Sequence, residues 1–374
     1  MPSWLKEGRG SLCGANVSLL LREMGITKPL LVAGERTKNV FFARTGMRLP
    51  VFDAFHPNPD LQDCVAGAAL YQEKGCDGLI SIGGGSAMDT AKGIKALLMT
   101  DIAHVRANQL PSEGNVPHLA IPGTAGTGAE TTAVAVLYED GQKLSVDHPA
   151  LLPDGVLLDG SLLDTLPEYH RKSCAMDALA QGIESWWAKK ATPDSRIHAE
   201  RAIRGVLDNL TAYLQGDRKA QDEMLHAAYE SGVAILTTRT TAAHAMSYQI
   251  TKKLGAAHGH ACMLTLPHLW AHLAAQAEYQ PMLTELSRLL GGEKPMDGAI
   301  LLKGLLAVLE LDKIPMPDDA TLDMLAASVN PERLGNHPEA LTMAQLRAIY
   351  VQAFTPMTDT ERAEAIAAWE QYGK

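Results

Sequence analysis

Residues 78–92 read GLISIGGGSAMDTAK, an apolar run that passes through three glycines into a helical pattern. The run predicts a buried strand over 78–82. Glycines after such a strand let the backbone approach a pyrophosphate without Cβ clashes, and the N–H groups that open the next helix point at the anion. Ser86 adds a hydroxyl donor. The segment therefore predicts a phosphate-binding turn between a strand and a helix.

A second turn of small residues follows another apolar run. Residues 117–121 read PHLAI and continue into PGTAGTGAETT, and an earlier apolar run at 30–33 precedes a helical pattern over 60–74. This alternation predicts a parallel sheet covered on both faces, which binds ligands at the carboxyl ends of its strands. Two glycine-rich turns there favour a nucleotide site. Neither turn has the spacing G-x-G-x-x-G, which argues against an ordinary Rossmann dehydrogenase.

Strand patterns fade past about residue 165, and long amphipathic segments follow. We predict a doubly wound α/β dinucleotide-binding domain over 1–164 and an all-α domain over 165–374, since single cores rarely exceed about 250–300 residues. The stretch 291–317, interrupted by Gly and Pro, is expected to include connections between helices. Helices are predicted at 171–188, 195–214, 220–236, 240–253, 260–276 and 343–354.

Composition limits the class of protein. The chain has 374 residues, 33 Lys and Arg against 43 Asp and Glu, and a formal charge of -10. This acidic balance argues against nucleic acid as a partner. No apolar run approaches the roughly 18 residues of a membrane helix, and the first residues lack the apolar core of a secretory signal. The 5 cysteines form no C-x-x-C pair. We therefore expect a cytoplasmic protein that has no membrane or nucleic-acid partner.

A group of potential metal ligands lies in the second half. Asp177 and Gln181 are four residues apart and share a helix face, as do His244 and Tyr248, and His258 follows a glycine-containing break. A carboxylate with imidazoles suits zinc or ferrous iron. Spacing alone leaves the alternative open, because most of the 13 histidines of such a chain are surface or core residues.

Together these segments resemble the iron-containing (group III) alcohol dehydrogenase family. The resemblance is carried by residues 83–92, 121–130, 153–159, 176–184 and 244–267. It implies a dinucleotide-binding domain, a helical metal- and substrate-binding domain, and a site in the cleft between them. The implied cofactors are NAD(P)H and a divalent metal, Fe²⁺ or Zn²⁺. The residues predicted to bind the dinucleotide are Gly34, Gly84, Gly85, Ser86, Asp89, Thr124, Thr127 and Lys143.

The resemblance also implies a ligand set. Asp177, His244 and His258 fall on three of the four metal-binding positions of the family, and are predicted to act in catalysis through the metal. The fourth position holds Gln181, which can ligate through its amide oxygen or hold a metal-bound water. Tyr248 replaces a family histidine and either relays a proton or packs as an aromatic residue. Both residues are those that the phosphonoacetaldehyde reductase subgroup shows.

The implied reaction is the reduction of phosphonoacetaldehyde to 2-hydroxyethylphosphonate in phosphonate biosynthesis. A small anionic aldehyde needs cations near it, and Arg239, Lys252 and His260 are predicted to hold the phosphonate. Gly34 stands where many family members have an Asp that repels a 2′-phosphate, and Arg36 follows it, so NADPH is open as well as NADH. A homodimer is expected.

Three other functions stay open at this point. The chain can act on another short hydroxyaldehyde or alcohol within the same family. It can be a dehydroquinate-synthase-like cyclase, although that class lacks the H-A-M helix pattern. It can also be an inactive dinucleotide-binding relative, if Gln181 and Tyr248 mark a lost site.

Overall fold

The computed structural model describes residues 6–112 and 116–372 and divides the chain into two units, Met1–Leu166 and Pro167–Lys374. The first unit contains a parallel sheet with helices, and the second is helical. The predicted fold class is therefore confirmed. The predicted boundary between 164 and 165 lies two residues before this division.

The first unit is built on a six-stranded parallel sheet. Its strands and those of a separate hairpin are β1 (Lys6–Arg9), β2 (Pro29–Ala33), β3 (Val51–Phe52), β4 (Gly78–Gly83), β5 (His118–Pro122), β6 (Val134–Glu139), β7 (Gln142–Asp147) and β8 (Gly155–Leu158). The strand order in the sheet is β1-β8-β5-β4-β2-β3, while β6 and β7 pair antiparallel. The two glycine-rich turns thus follow neighbouring strands, β4 and β5.

Both faces of the sheet are buried, as the unbroken apolar runs predict. Leu30 and Leu79 pack on one face with Leu61, and Leu31 and Ile80 pack on the other. This alternation follows from the two-residue period of a strand. The helices of this unit are α1 (Gly14–Glu23), α2 (Glu35–Thr45), α3 (Leu61–Lys74), α4 (Gly85–Met99) and α5 (Ile102–Arg106).

Every predicted helix of the second half is present, with its ends shifted by a few residues. The helices are α6 (Glu168–Trp187), α7 (Pro193–Leu214), α8 (Arg218–Thr238), α9 (Ala242–Gln249), α10 (His258–Ala274), α11 (Gln280–Leu289), α12 (Asp297–Val308), α13 (Asp319–Ala327), α14 (Pro331–Leu334), α15 (Met343–Phe354) and α16 (Asp359–Tyr372). The helix predicted over 240–253 is divided, because α9 passes into a π-helical turn at Ile250–Leu254.

The stretch 291–317 includes connections between helices, as expected, and they flank α12, which occupies its centre. Its glycines are contact points. A Cβ on Gly298 would lie 2.0 Å from Cζ2 of Trp270, and one on Gly304 would lie 2.1 Å from the Ala365 carbonyl oxygen. These glycines let α12 pack closely against its neighbours, which offsets their low helix propensity. No helix in the described ranges is long and apolar enough to cross a membrane.

Candidate metal centre and dinucleotide site

Helix α6 places three polar side chains on one buried face. Asp177, Gln181 and Glu184 follow one another at spacings of four and three, and all three are buried. Buried carboxylates are costly unless they are paired, so their partners define the site. Those partners come from α9 and α10.

His244 on α9 connects the two carboxylates of α6. Its Nε2 lies 3.2 Å from Oδ1 of Asp177, while its Nδ1 contacts Oε2 of Glu184. The other oxygen of Glu184 accepts hydrogen bonds from the backbone N–H of Ala243 at 2.8 Å and from the Thr241 hydroxyl at 2.7 Å. Glu184 therefore caps the start of α9 and holds the His244 ring with Nε2 toward Asp177.

The pKa shifts of Asp177, Glu184 and His244 are those expected of ion pairs. Burial opposes ionisation of both carboxyls, but His258 and His244 hold the pKa of Asp177 below its usual range, and His244 does the same for Glu184. Burial also opposes the imidazolium form of His244, yet the surrounding acidic groups raise its pKa well above the usual value. The metal-free centre thus favours ionised carboxylates paired with a protonated His244.

Helix α10 begins at His258 and passes very close to α6. A Cβ on Gly259 would lie 2.0 Å from the Ser173 carbonyl oxygen and 2.7 Å from Cβ of Asp177. Only glycine permits this approach, which sets His258 beside Asp177. Nε2 of His258 lies 4.0 Å from Oδ1 of Asp177.

Cys262 joins this group one helical turn after His258. Its buried Sγ lies 3.9 Å from Nε2 of His258. One potential ligand atom from each of Asp177, His244, His258 and Cys262 lies within 4.8 Å of all the others. Carboxylate, imidazole and thiolate converging in this way suit a transition metal such as zinc or iron. The residues present therefore fit the metal that the family implies.

Protonation in this cluster is strongly perturbed. Burial opposes thiolate formation at Cys262, but His244 and His258 lower the pKa of its thiol to about 7. Burial likewise opposes protonation of His258, whereas Cys262 and Asp177 raise the pKa of its ring to about 9. Without a metal, the imidazoles therefore carry the positive charge of the cluster.

Gln181 faces Asp177 with one end of its amide and Ser231 with the other. Its Nε2 lies 3.3 Å from Oδ1 of Asp177, and its Oε1 lies 2.8 Å from the Ser231 hydroxyl. The amide thus helps to orient the Asp177 carboxylate. Tyr248 is half-buried and lies parallel to the His258 ring, with ring centroids 6.1 Å apart. The structure therefore brings Tyr248 beside a candidate ligand, and its proton-relay role stays a prediction.

The residues predicted to bind the phosphonate differ in setting. Arg239 has a φ of 63° at the end of α8, and its guanidinium donates to the Leu236 carbonyl oxygen at 2.9 Å. Lys252 is exposed on the π-helical turn. His260 is buried, and its Nε2 donates to the Leu311 carbonyl oxygen at 2.8 Å while its Nδ1 lies 3.1 Å from the Tyr169 hydroxyl. Burial lowers the pKa of His260, so this ring offers no positive charge to an anion.

The two glycine-rich turns of the first unit lie against each other. Gly83 has a φ of 146°, and its carbonyl oxygen accepts a hydrogen bond from the Gly123 N–H at 2.7 Å. A Cβ on Gly84 would lie 3.2 Å from Cγ2 of Thr124, and one on Gly85 would lie 3.5 Å from Cγ2 of Thr127. The predicted residues of both turns are thus neighbours at the start of α4.

The other predicted dinucleotide residues are also in the first unit. Ser86 accepts a hydrogen bond from the Asn58 N–H at 3.3 Å. Burial raises the pKa of Asp89, against the attraction of Lys92 and Lys143. Asp89 and Lys143 are therefore close enough to interact electrostatically, as two parts of one site would be.

Gly34 and Arg36 follow β2, where the 2′-position of the dinucleotide is expected. A Cβ on Gly34 would meet no atom within 4 Å. Arg36 donates to the Thr165 carbonyl oxygen at 2.9 Å and to its hydroxyl at 2.8 Å. Both hydrogen bonds use Nη1 of Arg36, so the guanidinium is held against Thr165 through one of its nitrogens.

Cys262 and Glu184 were missed as functional residues by the sequence reasoning. Each carried a periodic signal: Cys262 lies four residues after His258, and Glu184 lies seven after Asp177 on the same helix face. Both residues sit inside stretches that carried the family resemblance. Spacing alone does not mark either residue as functional, because a lone Cys and a helical Glu have common structural explanations.

Comparison with known proteins gives consistent matches over both units. Residues 3–160 match the family model for iron-containing alcohol dehydrogenase, and residues 172–354 match the C-terminal model of that family. A probable alcohol dehydrogenase of Escherichia coli is 34% identical over 250 residues, which are 65% of this chain and 60% of that protein. The phosphonoacetaldehyde reductase of Streptomyces viridochromogenes is 36% identical over 228 residues, covering 57% of this chain and 58% of that protein. The matched part thus spans about three fifths of these two relatives.

Solved structures match over more of the chain. The sulfoacetaldehyde reductase from Bifidobacterium kashiwanohense, in complex with NAD⁺, has a TM-score of 0.85 and 26% sequence identity. That alignment covers 95% of this chain and 97% of that one. The similarity therefore extends through the α/β unit and the helical unit.

Proposed function

The chain is an enzyme of the iron-containing alcohol dehydrogenase family, and from that membership we propose that it reduces phosphonoacetaldehyde to 2-hydroxyethylphosphonate. The family supports NAD-linked chemistry between an alcohol and an aldehyde with a divalent metal. The observation that carries the proposal is the convergence of Asp177, His244 and His258, braced by Glu184, in a chain similar to two reductases of anionic acetaldehydes.

Asp177, His244 and His258 would hold the metal. When bound, the metal supplies a Lewis acid for the aldehyde oxygen, and the reduced nicotinamide supplies hydride. Glu184 keeps the N–H of His244 on Nδ1, so that Nε2 presents its lone pair to the metal position. Gln181 orients Asp177 through the 3.3 Å contact. Either Fe²⁺ or Zn²⁺ suits these donors.

The dinucleotide would lie on the paired turns of the first unit. Gly84, Gly85 and Ser86 open α4, where backbone N–H groups and the helix dipole favour a pyrophosphate. Thr124 and Thr127 of the second turn contribute hydroxyls beside them. We propose NADH as the preferred donor because the two bonds to Thr165 direct Nη1 of Arg36 away from a 2′-phosphate, while the open space at Gly34 leaves room for NADPH as a poorer one.

Reduction also needs a proton for the aldehyde oxygen. Hydride and one proton convert the aldehyde to the alcohol, and the nicotinamide leaves oxidised. Tyr248 is the side chain proposed to deliver that proton, because its ring lies parallel to His258 beside the ligand cluster. Solvent water is the alternative source, and a Tyr248→Phe variant separates the two. Loss of at least tenfold in kcat supports the tyrosine, because general acid catalysis contributes roughly 100- to 10,000-fold.

The substrate charge is the basis of specificity in this proposal. A phosphonate carries nearly two negative charges, so we propose that Arg239 and Lys252 hold it. The two relatives named for phosphonoacetaldehyde and sulfoacetaldehyde act on acetaldehydes that carry an anionic group. We no longer assign His260 to the phosphonate, because its ring is buried, donates to the Leu311 carbonyl oxygen and has a lowered pKa.

Kinetics with paired aldehydes test the proposal. NADH consumption is measured with phosphonoacetaldehyde, sulfoacetaldehyde, acetaldehyde and lactaldehyde, for the wild type and for Arg239→Ala and Lys252→Ala. Each variant should raise KM for the phosphonate at least tenfold and leave KM for acetaldehyde nearly unchanged, since a charge-assisted hydrogen bond contributes about 1.5–3 kcal/mol. Lys253→Ala, at the next exposed lysine, is the matched control. Equal changes for charged and neutral aldehydes would refute these two roles.

A second candidate substrate is sulfoacetaldehyde, favoured by the NAD⁺ complex of the matching structure. The same panel separates the two, because a sulfonate carries one negative charge and a phosphonate nearly two. Turnover of acetaldehyde or lactaldehyde above both anionic substrates would favour a general short-aldehyde reductase. Dinucleotide binding without turnover of any aldehyde would favour an inactive relative.

A further inference from the structure

We propose that the Sγ of Cys262 is the fourth protein ligand of the metal held by Asp177, His244 and His258. The inference rests on the proposed metal-dependent function and deepens it, because it changes the donor set of that same site. The ligand count stays at four, as in the family pattern, but one imidazole is replaced by a thiolate. With four protein ligands, the metal would still supply a Lewis acid to the aldehyde oxygen, since zinc tolerates a fifth ligand.

The distances within the cluster are close to those of a tetrahedral site. Oxygen and nitrogen ligands of zinc at about 2.0–2.1 Å lie about 3.4 Å apart, and a sulfur ligand at about 2.3 Å lies about 3.6 Å from a nitrogen ligand. Here Oδ1 of Asp177 lies 3.2 Å from Nε2 of His244 and 4.0 Å from Nε2 of His258. Sγ of Cys262 lies 3.9 Å from Nε2 of His258. Small side-chain movements would place all four atoms around one ion.

Cys262 supplies the fourth donor that the family histidine would have supplied at the Gln181 position. Both residues lie four positions after a ligand, Gln181 after Asp177 on α6 and Cys262 after His258 on α10. The Gln181 amide is engaged by Ser231 and Asp177, and amide oxygen is a weaker donor to zinc or iron than thiolate. The loss of the family histidine on one helix is thus matched by a stronger donor on another.

Cys262 differs from His258 in its burial and from the other candidate ligands in the metals that it favours. Its side chain is fully buried, whereas His258 is partly open to solvent. Cys174 lies on α6, three residues before Asp177, and is outside the four-residue cluster. A thiolate among the ligands shifts preference toward zinc and cobalt and away from manganese and magnesium, which favour oxygen donors. The site is therefore expected to purify with zinc more readily than an all-imidazole site would.

X-ray absorption at the zinc edge tests the inference directly on the full-length protein loaded with one equivalent of Zn²⁺. We expect one sulfur scatterer at about 2.3 Å together with nitrogen and oxygen scatterers at about 2.0–2.1 Å. A shell of nitrogen and oxygen alone, with zinc bound, overturns the inference and returns the fourth position to Gln181 or water. This measurement needs no variant and no substrate.

Substitution identifies which cysteine supplies the sulfur. The Co²⁺-loaded protein should show a near-ultraviolet thiolate-to-cobalt charge-transfer band, which Cys262→Ser abolishes and Cys174→Ser, the matched control, leaves in place. Zinc affinity should fall in Cys262→Ser by at least the roughly 10- to 100-fold that loss of an outer-shell partner costs. Retention of the band in folded Cys262→Ser contradicts the inference. If Cys262→Ser does not fold, X-ray absorption on zinc-loaded Cys174→Ser decides the assignment. A sulfur scatterer that persists in this variant supports Cys262, and its loss assigns the sulfur to Cys174.

The proposed metal-dependent function and the role of Cys262 can be refuted separately. If the wild type binds no zinc, cobalt or iron and reduces aldehydes at full rate, the proposed metal-dependent function fails, and the inference fails with it. If metal binds and activity depends on it, but sulfur is absent from the shell, only the role of Cys262 fails.

Discussion

Replacing Glu184 by Gln tests whether the carboxylate behind His244 prepares the metal site. Glu184 is fully buried, and one of its oxygens contacts Nδ1 of His244. Gln keeps the shape and leaves a carbonyl oxygen for the donors at the start of α9. Its N–H₂ group then faces Nδ1, which must give up its proton. The proton moves to Nε2, the atom that faces Asp177.

The expected loss of metal affinity follows from that change of tautomer of His244. Loss of an outer-shell partner of a metal-bound histidine lowers metal affinity about 10- to 100-fold, or about 1.4–2.7 kcal/mol. The metal-free protein also loses a buried charge pair, so its free energy of unfolding should fall by about 3 kcal/mol. Two separate observables therefore move, and only the first reports on metal binding.

The assay measures both quantities. Zinc affinity comes from competition with a chromophoric chelator, and stability comes from urea unfolding of the metal-free protein. Glu230→Gln is the matched control, because Glu230 is also buried against a histidine Nδ1, that of His198 on α7, outside the metal cluster. The control should lose stability but keep its zinc affinity within about twofold. Folded Glu184→Gln that binds zinc as tightly as the wild type would refute the reasoning.

Three further predictions address other parts of the chain. Zinc affinity, measured by chelator competition, should rise by more than tenfold per pH unit from pH 6 to 8, because the metal must displace protons from both His258, whose pKa is raised to about 9, and His244, whose pKa is raised well above its usual value. A flat profile would contradict this. Burial raises the pKa of Glu130 from 4.5 to about 7, and its Oε1 has no hydrogen-bond partner among the described residues, so ionisation destabilises the fold as pH rises. Glu130→Gln should therefore gain about 2 kcal/mol relative to the wild type between pH 5 and pH 8 in urea unfolding, and an equal pH dependence of both proteins would exclude this. Gly34→Asp fits the open space at that position and should lower kcat/KM with NADPH at least tenfold while sparing NADH, and loss of both would indicate general damage.

The fold could be predicted where sequence periodicity was strong. The runs at 30–33, 78–82 and 117–121 became neighbouring parallel strands, and the glycines between strand and helix marked α4 correctly. The short strands β1, β3 and β8 escaped prediction because four residues or fewer leave too little periodicity. Helix α12 escaped because Gly298 and Gly304 resemble breakers until their tertiary neighbours are known.

The sequence indicated three members of the candidate metal cluster but not the residues that join them across the helices. Spacing and family resemblance indicated Asp177, His244 and His258, which the structure brings together. Cys262 and Glu184 depend on how closely α9 and α10 approach α6, and that distance is set by packing around Gly259. No periodic pattern records such an approach, because it joins residues far apart in the chain.

Metal-dependent, NADH-linked reduction of an anionic aldehyde can be tested in a single assay. NADH consumption by the full-length protein is followed with phosphonoacetaldehyde and with acetaldehyde, after exhaustive chelation and again after adding Zn²⁺ or Fe²⁺. We predict no turnover without metal, recovery on metal addition, and a kcat/KM for phosphonoacetaldehyde about 100-fold above that for acetaldehyde, as two charge-assisted contacts would give. Full activity in the chelated protein, or equal kcat/KM for the two aldehydes, would contradict the account.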